Sequence, residues 1–329
     1  MRKILWVVVA LAMLSTAAAA QPAPERRAPE KIIIDTDVGD DIDDAFALAL
    51  ALKSPEFDIL GVSAAFGDTA TRARMLDRML GEAGRGDIPV AAGKPAAVNL
   101  AHFTQRQWAD GGKLARPSHP DSVDFILGQI RKYPGQITLV AIGPLPNIGA
   151  LIDKDPVTFR KLKRVVIMGG SINTLTDPFG VAAPIAPHTE WNIKNDISSA
   201  QKLFAVGVPL QVLPLDSTAN LKMHELARDA LFAHGSVLTD MLAVLYNQWS
   251  YRREEGSFAV TRKPTPTLYD PMTLASLLDP SLCPMIPMHI QVEDDGMTRP
   301  VPGTPNAQVC LKSDDDAFLH FYVKHLVEK

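Results

Sequence analysis

Residues 32–48 read Ile-Ile-Ile-Asp-Thr-Asp-Val-Gly-Asp-Asp-Ile-Asp-Asp-Ala-Phe-Ala-Leu. A short β-branched run that stops at acidic residues reads as a buried strand ending at Asp35. Residues 45–52 then read as a helix, so the stretch is a strand–loop–helix unit. The same alternation continues along the chain. Strands are predicted at 58–64, 88–91, 137–142, 165–168 and 210–215, the last reaching Asp216. Helices are predicted at 71–83, 122–132 and 198–206. Continuous apolar strands alternating with helices predict an α/β fold with an open, mostly parallel sheet and helices on both faces. No internal linker interrupts residues 31–329, which predicts one domain.

Polar or glycine-rich clusters follow several of these strands: Asp35 onward, Phe66-Gly67-Asp68, Gly143-Pro144, Gly169-Gly170 and Asp216. In open α/β sheets, ligands bind off the carboxyl ends of the strands. These clusters are therefore expected to converge on one site.

The densest cluster is residues 35–44, where six of ten residues are aspartate. Six like charges beside a buried strand repel unless something neutralises them. A helix start helps through its free N–H groups, and a bound cation helps more. Carboxylates with no neighbouring histidine or cysteine point to a hard ion, calcium or magnesium. The bland alternative is a solvated acidic loop with a helix cap. An EF-hand register fails, because Asp40 stands where it needs glycine and Phe46 where it needs glutamate. A haloacid-dehalogenase-like phosphatase fits Asp35-Thr36-Asp37 but gives Asp43-Asp44-Ala45 no task.

Asp35-Thr36-Asp37-x-Gly39 followed by Asp43-Asp44-Ala45 resembles the amino-terminal signature of inosine-uridine-type nucleoside hydrolases. Val38 stands where proline is usual, and two extra residues fall around Asp40 to Ile42. An ungapped reading would put Ile42 at a ligand position, so the gapped one is preferred. Further similar segments follow in order: Gly67-Asp68, Ile88-Pro89-Val90-x-x-Gly93, Gly143-Pro144-Leu145-Pro146-Asn147, Met168-Gly169-Gly170, Glu190-Trp191-Asn192 with Asp196, and Asp270-Pro271. Each is weak alone; their order across residues 31 to about 320 carries the resemblance.

The resemblance implies hydrolysis of a ribosyl C–N bond, with a nucleoside or another small ribosyl compound as substrate. It implies Ca2+ held by Asp37, Asp44, Asp270 and the Ile142 carbonyl, with Asp37 as general base toward a water at the ion. Asp43, Asp68, Met168, Glu190 and Asn192 would line the sugar, with Asp35 supporting from behind. Tyr269 replaces the usual histidine beside Asp-Pro and would serve the leaving base. Asp68 replaces an asparagine, and Pro184 stands where an asparagine would reach the ribose 5′ side. Met168 is equally readable as a core residue, Gly143-Pro144 as a turn, Glu190 and Asn192 as surface polar residues, and Asp270 as a helix cap. Trp108, Trp191, His188, Tyr246, Trp249 and Tyr251 are candidates for stacking on a base. Loss of the leaving-group histidine leaves a second reading open, a metal-dependent ribose- or nucleoside-binding protein with weak catalysis.

The chain start sets an expected compartment. Arg2-Lys3, an apolar run at 4–14 and a small-residue end at Ala18-Ala19-Ala20 read as a signal peptide over 1–20, with a proline-rich disordered lead-in over 21–30. The apolar run is short for a membrane span. The mature chain is thus expected to be periplasmic or secreted. The formal charge is −4, and no long basic run or basic–aromatic stripe suits nucleic-acid phosphates. Cys283 and Cys310 are the only cysteines; pairing is allowed in an oxidising compartment, but spacing does not decide it. Homo-oligomer formation is left open.

Overall fold

Ile32, Ile33 and Ile34 have no exposed surface. Successive side chains on a strand point to opposite faces. Accordingly Ile32 and Ile34 enter one hydrophobic core and Ile33 enters a second. Burying each is worth roughly 1.5–3 kcal/mol, so this strand ties the two helical layers to one sheet. The structure, a computed structural model, describes residues 28–97, 102–112, 116–176, 183–253 and 264–328. The expected leader at 1–20 and most of the lead-in lie outside the described residues.

The strands are β1 (Glu30–Thr36), β2 (Phe57–Ala64), β3 (Val90–Ala92), β4 (Ile137–Ala141), β5 (Arg164–Met168), β6 (Leu210–Leu213), β7 (Met285–Met288), β8 (Ile290–Val292), β9 (Thr298–Pro300) and β10 (Ala307–Cys310). Eight form one sheet in the order β3-β2-β1-β4-β5-β6-β10-β7, and β8 and β9 form a separate hairpin. Within the large sheet only β7 runs antiparallel to its neighbour. The helices in the amino-terminal half are α1 (Asp43–Lys53), α2 (Thr69–Glu82), α3 (Arg106–Asp110), α4 (Ser122–Lys132), α5 (Pro146–Lys154) and α6 (Pro156–Phe159). The rest are α7 (Trp191–Lys194), α8 (Ile197–Ala205), α9 (Leu215–Thr218), α10 (Glu225–Phe232), α11 (Val237–Arg253), α12 (Pro271–Leu278) and α13 (Asp315–Glu328). Apolar residues of α1, α2, α11, α12 and α13 fill the core with Ile32 and Ile34. Those of α4, α5 and α8 fill the core with Ile33. Among the described residues, no helix is long and apolar enough to cross a membrane.

The topology places the site. From β1 the chain winds outward to β2 and β3, then returns to β4 on the other side of β1 and continues to β5 and β6. The order reverses between β1 and β4, and a crevice opens off the carboxyl ends of two strands whose connections leave in opposite directions. Asp37 follows β1, and Ile142 follows β4.

Most boundaries shift by a residue or two from the sequence reading, and three of the shifts have a clear cause. β1 begins at Glu30, inside the expected lead-in, where ion pairs with Arg164 at 2.5 Å and Lys163 at 3.1 Å hold it. β3 starts only after Pro89. β6 ends at Leu213 rather than Leu215, because Pro214 has no N–H for the ladder, and Leu215 and Asp216 belong to α9.

Cys283 and Cys310 form a disulfide, with Cα atoms 5.6 Å apart. It closes a loop spanning 27 positions that contains β7 and the β8–β9 hairpin. Replacing both cysteines with serine is expected to lower unfolding stability by about 3 kcal/mol. Urea titration of the two proteins checks this, and coincident midpoints would refute it.

Candidate active site

The end of β1 sends its two aspartates to different places. Asp35 is buried in the sheet edge and accepts hydrogen bonds from Ser63 and from Asn147 at 2.8 Å. Burial raises its pKa to about 6 against those bonds. Asn147 also donates to the Ala64 carbonyl at 3.1 Å and accepts from Lys94 N at 2.7 Å. One buried amide therefore ties the ends of β1 and β2 to the chain after β3. Asp37 faces a cavity of about 600 Å³.

Beyond Asp37 the chain turns through Gly39, whose φ of +114° favours glycine, and enters α1 at Asp43. Arg72 of α2 fastens this turn. Its side chain has no exposed surface. It donates to the carbonyls of Asp37, Val38 and Phe66, and pairs with Asp40 at 2.9 Å. Ile42 is wholly in the core. Asp43 and Asp44 occupy the first turn of α1, where free N–H groups favour carboxylates. Thr36 donates to Asp44 at 2.5 Å.

Asp270 arrives from the far end of the chain at the start of α12. Its carboxylate makes no capping hydrogen bond, so the capping alternative is set aside. Its N–H donates to Asp43 at 3.3 Å. Oxygens of Asp43, Asp44 and Asp270 lie within 4.8 Å of one another.

The β4 end contributes backbone. Ile142 N–H donates to the Asp35 carbonyl at 2.8 Å, which fixes the direction of its own carbonyl. A Cβ at Gly143 would stand 2.6 Å from Asp37 Oδ1 and 2.8 Å from Asp37 N. Gly143→Ala must therefore displace Asp37. We expect kcat to fall about a hundredfold with an unfolding midpoint close to wild type; unchanged kcat would refute the close approach.

Opposite stand Glu190 and Asn192. Glu190 caps α7, accepting from Asn192 N at 2.8 Å, Ile193 N at 3.1 Å and Gly170 N at 3.1 Å. Asn192 Nδ2 donates to the Met168 carbonyl at 3.1 Å. Thr298 of β9 holds the backbone behind them, accepting from Ser171 N at 2.9 Å and donating to its carbonyl at 3.1 Å.

Electrostatics follow from burial. Asp37, Asp43, Asp44, Glu190 and Asp270 are each at most 5% exposed. Burial raises the pKa of Asp37 to about 7, with Arg72 opposing and Asp40 and Glu190 adding to the rise. Burial first, and then repulsion from neighbouring aspartates (Asp41 and Asp37 on Asp43, Asp37 and Asp43 on Asp44, Asp43 and Asp44 on Asp270), hold these three well above the usual carboxylate range. Burial also raises Glu190. Arg72 donates to three carbonyls and pairs with Asp40, which leaves the three clustered carboxylates without a bonded counter-charge among the described side chains. An all-oxygen donor set of this charge fits a hard divalent cation.

Most expected site residues meet here. Asp37, Asp43, Asp44, Ile142, Met168, Glu190, Asn192, Tyr269 and Asp270 all line the cavity. Asp68 does not. Phe66 and Gly67 both adopt positive φ, and the turn delivers Asp68 to the N-cap of α2, where it accepts from Thr71 N at 3.1 Å. Among the aromatic candidates, His188 and Trp191 line the cavity. Trp108, Tyr246 and Trp249 are buried elsewhere, and Tyr251 borders a separate depression. His102, Thr104, Thr189 and Leu215 line the cavity without having been anticipated. Arg72 was also missed, although it stands one helical turn before Met75-Leu76 on the apolar face of α2, which is a readable sign of a buried cation.

A model of the inosine-uridine preferring nucleoside hydrolase family matches residues 32–320. The pyrimidine-specific ribonucleoside hydrolase RihA of Citrobacter koseri is 30% identical over 316 residues, covering 90% of this chain and 97% of that protein. Uridine nucleosidase 1 of Arabidopsis thaliana is 29% identical over 287 residues, covering 82% and 80%. A plant nucleoside hydrolase structure superposes with a TM-score of 0.77 at 25% identity, covering 92% of this chain and all of that one. With these matches running through the aspartates of β1 and α1 to Asp270, the chain belongs to the inosine-uridine preferring nucleoside hydrolases, enzymes that cleave N-ribosyl bonds.

Proposed function

We propose that this enzyme hydrolyses the N-glycosidic bond of ribonucleosides to ribose and free base, with calcium as its metal, outside the cytoplasm. The observation that carries the reading is the meeting of Asp43, Asp44 and Asp270 within 4.8 Å, buried in the cavity that also holds Asp37, Glu190 and Asn192. Asp44, Asp270, Asp37 and the Ile142 carbonyl would hold the cation, which when bound supplies Lewis-acid polarisation and lowers the pKa of a nearby water.

The chain's own groups do the rest. Asp37 takes the proton of the attacking water. Asp43, Glu190 and Asn192 hold ribose hydroxyls, and Met168 packs beside the sugar. The oxocarbenium-like charge on the ribose grows among buried carboxylates, which stabilise it more strongly than water would. Tyr269, half-buried at the cavity wall, donates a hydrogen bond to the departing base. The aspartyl-phosphatase alternative finds no support: Asp35 does not line the cavity, and Ser63 and Asn147 engage its carboxylate. Export is supported by the signal-like start and by the Cys283–Cys310 disulfide.

The test is reducing-sugar release from a nucleoside panel with calcium present. Uridine, cytidine, inosine and adenosine together cover both base classes. Turnover of at least one, abolished by chelation and restored by calcium, is expected. Calorimetric binding of ribose with no turnover of any N-riboside would favour the binding-protein reading instead.

A further inference from the structure

The extra residues at Asp40 to Ile42 have no direct role in the chemistry above, although Asp40 and Asp41 border the cavity. The carbonyls of Asp40 and Asp41 are nevertheless engaged. Gln105, with no exposed surface, donates from Nε2 to the Asp41 carbonyl at 2.7 Å and from its N–H to the Gly39 carbonyl at 3.1 Å. Thr104 Oγ1 lies 2.8 Å from the Asp40 carbonyl and 3.2 Å from that of Gly39. The Phe103 ring covers Gly39 so closely that a Cβ there would enter it. The Arg72 guanidinium, the partner of Asp40, lies 4.8 Å from the centroid of the same ring. Three successive carbonyls, at residues 39–41, are thus taken by a segment more than sixty positions away.

The chain after this clamp is also fixed. Arg74 pairs with Asp110 at 2.6 Å, and Arg78 stacks on Trp108 at 3.9 Å. Both arginines belong to α2, so α3 rests on a helix that also carries Arg72.

The residue just before the clamp is His102. It lines the cavity, and its ring centroid lies 5.8 Å from that of Trp191. Trp191 is 45% exposed and stands edge-on to Phe66 at 6.5 Å. Asp37, Asp43, Asp44, Glu190 and Asp270 are buried and Asp40 and Asp41 half-buried, whereas His102, His188 and Trp191 are exposed. The cavity therefore has an anionic floor and an aromatic rim. A ligand with a hydroxylated sugar and a flat heterocycle fits it with the sugar down and the heterocycle against the rim.

We infer that the inserted loop anchors segment 103–105, and that Gln105 is a positioning residue that sets His102 against the leaving base. This rests on the N-ribosyl hydrolase reading. Gln105 acts through His102, so the pair governs how tightly the base is held and leaves the sugar contacts alone.

The test measures KM and kcat for a nucleoside, with ribose as competitive inhibitor, in wild type, Gln105→Met, His102→Ala and the double variant. Gln105→Met is expected to raise nucleoside KM about tenfold, while ribose inhibition stays within about twofold. The double variant should be no worse than His102→Ala alone, since groups that act in series are not additive. Ribose inhibition weakening in step with KM, or additive losses in the double variant, would overturn the inference. Thr104→Val removes the hydroxyl contacts more gently and should shift nucleoside KM about threefold in the same pattern. Should the wild type turn over no N-riboside, the functional reading has failed. Calorimetric titration of nucleoside and ribose into the same four proteins then decides the clamp separately, by weakened nucleoside binding with ribose unchanged.

Discussion

Asp37→Asn is expected to lower kcat about a thousandfold, within the range found for loss of a general base. The amide keeps the shape of the carboxylate and its place beside Gly143, but it does not accept the proton of an attacking water. On the proposed assignment of the ribose contacts to Asp43, Glu190 and Asn192, KM should change by no more than about threefold when calcium is saturating. The pH profile gives a second readout. A general base must be ionised, so with Asp37 in the proposed role wild-type kcat is expected to fall as pH drops through its pKa. Burial sets that pKa near 7 in the chain alone, and a cation beside it moves the acid limb lower. In the asparagine variant the residual rate should lose this limb. A raised KM with kcat intact would assign the proton to another group.

Removing divalent cations is expected to abolish turnover and to change how stability depends on pH. Asp35, Asp37, Asp43, Asp44, Glu190 and Asp270 all have raised pKa values in the folded chain. The unfolded chain releases these protons near pH 4. Between that point and the folded values the native state holds more protons than the unfolded state. In the chelated protein the contribution of these groups is therefore greatest at acidic pH and is lost as pH rises through about 6 and 7, where Asp35 and Asp37 ionise. Calcium, the proposed metal, is expected to reverse the loss by supplying the charge that protons supply in acid. At a hundred times its dissociation constant it adds about 2.7 kcal/mol, or about 4 °C in Tm for a chain of this length. Thermal melts at pH 5 and pH 8, with chelator and with calcium, measure this. A melting temperature of the chelated protein that rises with pH would contradict the buried-carboxylate account.

The legible half of the site is the part built on short-range pattern. The Ile32-Ile33-Ile34 run, the acidic cluster after it and Asp270-Pro271 are each recognisable within a few residues. The same holds for the parallel sheet, because buried parallel strands are continuous apolar runs separated by helices. Residues 220–329 were hard to read, since β7, β8, β9 and β10 are only three or four residues long and carry little periodicity. Asp68 was misplaced because sequence similarity aligns the residue but not the positive φ of Phe66 and Gly67 that turns it away.

Local sequence was thus enough for the α/β alternation, the charge density at 35–44 and the demand for a cation, since strand propensity, helix capping and like-charge repulsion act over a few residues. The tertiary structure alone decided the rest. It separated Asp35 from Asp37, one held by Ser63 and Asn147 and the other facing the cavity. It joined Cys283 to Cys310, and it clamped the inserted loop through Arg72 and Gln105. Those outcomes depend on which distant groups the sheet order brings together, and a partner 27 to 112 positions away leaves no local mark on the chain.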